Sequence, residues 1–234
     1  MFKNNLRLLI EFIVIISGVL LSFYIDDFRQ LQNQKLEKDI LIGELVITAR
    51  EDLKQIQNLK KDLIKVQDNI KIFLKDIQDN RKDIADKEIA INYLFISEKM
   101  SVSFFPQDGI FSQLTSTGSL QLIKSNALKN LLLRNFTHYL DRNQANNRTL
   151  DDLYLDFVNN VDPFISVTSK DKQGASFIYT DRIVDSFSID SDFYLSNNFK
   201  AYLSSANTMV GKNIDMLNLF EKSYNQILEL ANKA

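Results

Sequence analysis

From Leu8 to Ile25 the apolar positions are contiguous, reading LLIEFIVIISGVLLSFYI, with Glu11 as the single charge. Farther along they separate into steps. Ile56, Leu59, Leu63, Val66, Ile70, Phe73 and Ile77 lie alternately three and four residues apart, and Asn80 and Ile84 continue the register. Such spacing is the a/d stripe of a helix, and the Lys, Asp, Gln and Asn between the stripe positions form its solvated face. The pattern predicts one helix running from the apolar segment to about residue 80.

A second, shorter helix is expected over 82–98, carrying Ile84, Ile89, Ile91, Leu94 and Phe95. Ser101–Asp108 interrupts the pattern, because Pro106 disfavours helix at the residue before it. Asp108 is placed to cap a short helix through Ile110, Phe111 and Leu114, and Gly118 suits the left-handed position that ends it. Asn126 is the expected N-cap of the next helix, which carries Leu128, Leu131, Leu132, Phe136, Tyr139 and Leu140, then Leu150, Leu153, Phe157 and Val161, and stops at Pro163. Residues 164–196 are the least regular, with β-prone runs at Phe177–Tyr179 and Ile183–Val184. The last helix repeats the first pattern through Leu203, Ala206, Val210, Asn213, Leu217, Phe220, Tyr224, Ile227 and Ala231. The fold class implied is all-α: a transmembrane helix continuing into a long antiparallel, coiled-coil-like bundle. Asn80 and Asn213 fall on the stripes, where buried asparagine sets register at some cost in stability. A solvated loose end is the other reading for Asn80.

Two prolines and six glycines in 234 residues are too few for the turns of a sandwich or barrel, which reinforces the helical reading. The hydrophobic share of 45% and charged share of 25% are those of a folded chain. A net charge of −2 provides no basic surface of the kind nucleic acid requires. The absence of cysteine excludes disulfides, thiolate metal sites and cysteine nucleophiles.

The apolar run is long enough to cross a bilayer: 18 residues at about 1.5 Å each span roughly 27 Å, against ~30 Å of hydrocarbon. A buried soluble helix and a cleaved signal peptide are the competing readings. Against the second, Phe23, Tyr24 and Ile25 lead straight into Asp26 with no small-residue cleavage site. The organisation expected is a cytoplasmic tail at 1–7, a membrane span at 8–25 and a bundle at 26–234 with the irregular insertion at 164–196. Lys3 and Arg7 precede the span while Asp26 and Asp27 follow it, so the positive-inside rule places the bundle outside the cytoplasm. Arg29, Lys35 and Lys38 count the other way. Glu11, Gly18 and Ser22 fall near one helix face, since seven and four residues are close to whole turns. Gly18 and Ser22 form a small-xxx-small pair that lets a neighbouring helix approach closely, which makes this face the candidate helix–helix contact in the membrane. Glu11 has two readings: an intramembrane carboxylate with a functional role, or a side chain reaching the headgroups or Arg7 from within a turn of the boundary.

Catalytic chemistry finds little to stand on. His138 is the only histidine and has no companion for a triad or zinc site. Asp181, Asp185, Asp190 and Asp192 lack the glycine-centred spacing of a calcium loop and read as a solvated face. The sequons at Asn135 and Asn147 fall within a predicted helix and carry no inference. No enzyme activity, cofactor or metal is expected.

Two segments resemble a family of uncharacterised bacterial single-pass membrane proteins. One is EFIVIISGVLLSFYIDDFRQ, with Glu11 opening the apolar run, Gly18 seven residues on and Asp26-Asp27-Phe28 at the exit, where the family has Asn-Asn-Trp. The other is FSQLTSTGSLQLIKSNALKNLLLRNF, where Leu114, Ser116, Gly118, Leu122, Ile123, Asn126 and Leu128 occupy the family's pattern. The resemblance implies an anchored helical architecture and no particular activity. The expected role is an envelope interaction or sensory module whose partners are the lipid bilayer and either a second copy or another membrane protein. An accessory subunit of an ion-driven complex, using Glu11, is the alternative.

Overall fold

The computed structural model describes residues 2–172 and 182–233, with side chains from residue 11 onward. Helix α1 runs unbroken over Phe2–Gln78, as the two hydrophobic patterns require when no helix breaker separates them. The expected stripe is buried: Ile56, Leu63, Val66, Ile70 and Phe73 are fully enclosed, with Leu59 and Ile77 packed at the edge. Burial extends farther back than that stripe, through Leu41, Leu45, Ala49 and Leu53. Asn80 takes a left-handed conformation (φ 52°) in the turn that follows α1 and is exposed. It belongs to the loose end and sets no register.

Helix α7 (Asn197–Ala231) lies antiparallel to α1 and buries all nine residues of its predicted stripe. Lys60 bonds Glu221 at 2.6 Å and the Gln67 amide donates to the Asn207 carbonyl at 3.4 Å, fixing the direction of the pair. Ser196 caps α7 by accepting from the Phe199 N–H. The far end of α1 is closed by an aromatic cluster of Phe73, Tyr194 and Phe199, with ring centroids 5.5–6.1 Å apart.

Helix α2 (Lys87–Lys99) begins later than the periodicity suggests. Arg81 bonds both Asp76 and Asp86, and Asp86 accepts from the Glu88 N–H, so residues 79–86 form a pinned turn ahead of the helix. Helix α3 (Gly109–Ser116) ends at Gly118 in the left-handed conformation (φ 75°), as expected, but the Asp108 side chain makes no cap bond. The cap of α4 (Asn126–Leu133) is Ser125, one residue earlier than anticipated, because its hydroxyl accepts from the Leu128 N–H. A π-helical turn at Arg134–Tyr139 then leads into α5 (Leu140–Asn160). The extra residue per turn shifts the helix face, so that Asn135 and Phe136 are both buried.

The chain is mostly helical, consistent with the all-α class, and carries one small two-stranded sheet that the class does not include. Strands β1 (Ile165–Asp171) and β2 (Arg182–Ile189) pair antiparallel, Ile165 opposite Ile189, with an irregularity after Thr168. Alternating Ile, Val, Thr and Phe suit a half-buried ribbon, and Val184 packs on Ala90 and Leu94 of α2. The β-prone run at Ile183–Val184 lies in β2, while Phe177–Tyr179 lies outside the described residues. A single turn, α6 (Ser191–Tyr194), capped by Asp190, returns the chain to α7.

Phe73→Ala is expected to lower the unfolding free energy by about 3–5 kcal/mol, since truncation leaves a cavity between α1 and α7. Ile72→Ala, on the solvent side, should change it by less than about 0.5 kcal/mol. Urea titration of the full chain followed by circular dichroism measures both.

Candidate functional site

Among the described residues, no other element packs on the first part of α1. No residue from 11 to 40 is buried, and the first enclosed side chain is Leu41. At about 1.5 Å per residue, these 30 positions make an arm of roughly 45 Å beyond the bundle. Its large apolar side chains are open: Phe12 is 60% exposed, Ile15 65%, Leu20 62% and Tyr24 69%. A water-facing helix normally keeps such residues on one stripe, whereas here they ring the helix. Beyond its own turn of helix, no atom of the described residues lies within 4 Å of the position a Cβ on Gly18 would take, so its surface is open to a close neighbour. The Ser22 hydroxyl donates back to the Gly18 carbonyl at 2.9 Å, which satisfies it without a partner helix. Glu11, Gly18 and Ser22 lie seven and four residues apart on this one helix, so spacing puts them near one face. Among the described residues no helix is long and apolar enough to cross a membrane, and the side chains of Leu8, Leu9 and Ile10, which open the apolar run, lie outside that set. Those of Lys3 and Arg7 lie outside it too.

The same face continues down the arm in a way the sequence pattern did not reveal. Leu36, Ile40 and Ile47 are 63%, 54% and 59% exposed, and Gly43 between them has open space around it. These residues stand about two positions out of step with Leu41, Leu45 and Ala49, which places them on the side of α1 away from the bundle. Apolar residues out of step with the core stripe were the available signal.

Inside the bundle a second group of side chains converges on residues 102–107. The Asn213 amide donates to the Val102 carbonyl at 3.0 Å, and the Asn143 and Asn147 amides donate to the Phe104 carbonyl at 2.7 and 3.1 Å. Asp52, fully enclosed, accepts from the Gln107 N–H at 3.1 Å and from the Tyr224 hydroxyl at 2.5 Å. Burial pushes the Asp52 carboxyl up, against the opposing pull of the Tyr224 and Gln107 donors. Burial and the neighbouring Asp52 charge push the Tyr224 hydroxyl well above its ordinary value. Asn135 lies beside this hydroxyl, and neither atom of its amide has a partner in hydrogen-bond geometry among the described residues. Two further tyrosines tie outer elements to carboxylates: Tyr93 donates to Asp162, and Tyr194 to Asp76 at 2.8 Å.

The remaining candidates are scattered. His138 is exposed on the π turn. Asp185 pairs with Lys170, Asp190 caps α6, Asp192 is exposed, and Asp181 lies outside the described residues. No group of three or more metal-ligating side chains occurs among the described residues. Asn135 and Asn147 of the sequons are buried, which removes them as acceptors in the folded chain.

Comparison with protein-family models, curated proteins and solved structures returns no match.

What the arrangement supports is therefore surface and linkage chemistry: an unpacked apolar arm continuous with a bundle whose interior is held by buried amides and the buried Asp52 carboxylate. A carboxyl whose folded-state pKa is raised costs stability as pH rises through that pKa, and the loss is recovered as pH falls towards its unfolded value of about 3.9. The stability difference between Asp52→Asn and the unaltered chain should accordingly shift in favour of the unaltered chain as pH falls from 7 towards 4. Urea midpoints at several pH values test this; a pH-independent difference would show that burial does not perturb Asp52. In the same titrations Asn213→Leu should cost about 1–3 kcal/mol, because it strands the buried Val102 carbonyl.

Proposed function

We propose that this chain is a membrane-anchored, non-enzymatic interaction or sensory module of the bacterial envelope. The observation that carries the reading is the arm: an apolar helix on which no other described element packs, continuous with a well-buried bundle. Residues 8–25 would be solvated by lipid, leaving 26–40 as a stalk of about 22 Å between the membrane and the first core residue. The resemblance of the anchor and of residues 111–136 to uncharacterised bacterial single-pass proteins supports the same architecture. Lys3 and Arg7 ahead of the run support a cytoplasmic N-terminus and an extracytoplasmic bundle.

On this reading the face of Glu11, Gly18 and Ser22 meets another helix in the bilayer, from a second copy or another membrane protein. An isolated stretch of helix the length of the stalk is marginal in water, so a neighbour would also steady residues 26–40. The placement of Glu11 on the Gly18 and Ser22 face favours one further reading, an accessory subunit of an ion-driven complex in which that carboxylate handles a proton or cation.

Full-length protein should stay in the membrane pellet through high-salt and alkaline washes and be released only by detergent. Recovery in the aqueous fraction without detergent would end the anchor reading. Because the chain has no cysteine, single introduced thiols report contacts cleanly. Ser22→Cys and Ile40→Cys are expected to form disulfide-linked species in membranes, and Gln34→Cys, on the bundle side, is not. Equal crosslinking at all three positions would point to random collision. Glu11→Gln separates the two roles: unchanged assembly and function would remove the ion-handling reading while leaving the anchor intact.

A further inference from the structure

A groove unrelated to the arm runs along α2, walled on one side by α1 and on the other by the β1–β2 ribbon. It encloses about 490 Å³, within the size range of small-molecule sites. Its floor is apolar, with Leu94 and Val184 buried there, and Ile91 and Ile183 add walls that are 49% and 46% exposed.

The rim is cationic. Lys65, Lys87, Lys99, Lys172 and Arg182 line the groove against a single lining carboxylate, Glu98. In a chain of net charge −2 this is a local reversal of sign. Part of the charge is already engaged: Arg182 lies 3.4 Å from Glu98 and 3.7 Å from Asp171, and Lys65 sits 4.1 Å from the centre of the Phe95 ring. Lys99 is only 8% exposed and is engaged as well. Lys87 and Lys172 are exposed and make no ion pair among the described residues. Like charges gathered around apolar walls repel one another, and an anion between them relieves that repulsion in a partly desolvated setting.

We propose that this groove binds a small organic anion with an apolar or aromatic body. The carboxylate or phosphate group is held by Lys87 and Lys172, and the body lies on Ile91, Leu94 and Ile183. Neither charge nor apolar surface suffices alone, which distinguishes the site from a general basic patch. The inference does not depend on the membrane anchor, because the groove is built wholly from the bundle.

The test is isothermal titration of the full chain, in nanodiscs of uncharged lipid with empty nanodiscs subtracted or, if it stays in solution without detergent, in buffer alone. The probes are phenylacetate, phenyl phosphate, benzyl alcohol and inorganic phosphate. One or both aromatic anions should bind at one site per chain, with affinity falling as salt is raised. Benzyl alcohol and inorganic phosphate should bind at least about tenfold more weakly. Lys87→Glu combined with Lys172→Glu should weaken the aromatic anion by about tenfold or more while leaving the urea midpoint of the free protein unchanged, as both positions are exposed. Ile183→Asp should weaken it comparably. Binding of benzyl alcohol as tight as that of the anions, inorganic phosphate as tight as phenyl phosphate, or full affinity in the double charge variant would each overturn the proposal. Absence of binding by both aromatic anions would do the same.

Discussion

A stretch of backbone that is neither helix nor strand, residues 101–108, passes into the interior of a helical bundle, and the rest of the interior is arranged to tolerate it. Helices satisfy their own N–H and C=O groups, so they can be buried without outside help, whereas an extended segment brings its polar groups in unpaired. Here Val102 and Phe104 are buried, and their carbonyls accept from Asn213, Asn143 and Asn147, while the Gln107 N–H is received by Asp52. Four polar side chains from α1, α5 and α7 thus converge on one short segment. Each is enclosed, and each would be costly there without its partner. The gain is packing: Phe104 reaches the centre of the bundle and meets Phe220 edge to face at 5.2 Å.

The α1–α7 pair supplies the frame that this segment enters. Both helices carry long stripes of alternating three- and four-residue steps, and their antiparallel alignment sets Asp52 opposite Tyr224 and Lys60 opposite Glu221. The α3 to α5 region closes over one side, where the π turn brings Phe136 into a stack with Phe111 at 5.1 Å and against Tyr224. Helix α2 also packs on α1, and with the ribbon it forms the cationic groove.

That continuity is the property of most functional weight. One helix holds the exposed apolar arm, the face of Glu11, Gly18 and Ser22, the out-of-step residues Leu36, Ile40 and Ile47, and the seam on which the bundle is built. A hinge would uncouple these parts. Gly43 is the one glycine between the apolar run and the end of α1, and it remains helical. The groove and the arm thus lie at different ends of one continuous helix.

Local periodicity and chain stiffness were enough to specify most of the elements. The length of α1 and the nine-residue stripe of α7 follow from the spacing of apolar residues. The left-handed stop at Gly118 follows from the missing Cβ, and the β tendency at Ile183–Val184 from side-chain shape. Boundaries moved where a side chain competed with the pattern, as at Ser125 and at the Arg81-pinned turn before α2. The roles of the buried polar residues, by contrast, came into being only with packing. Asn213 lies on a heptad stripe, where spacing suggests a partner on a facing helix; its side-chain oxygen does accept from Asn146 of α5 at 3.1 Å, but its NH2 group donates to a backbone carbonyl 111 residues away in sequence. Asp52, Asn143 and Asn147 look like ordinary surface residues because helix periodicity records which face is buried and carries no record of which non-helical backbone will be threaded against it. The groove was equally hidden, since Lys65, Lys87 and Arg182 become neighbours only when three separate elements pack.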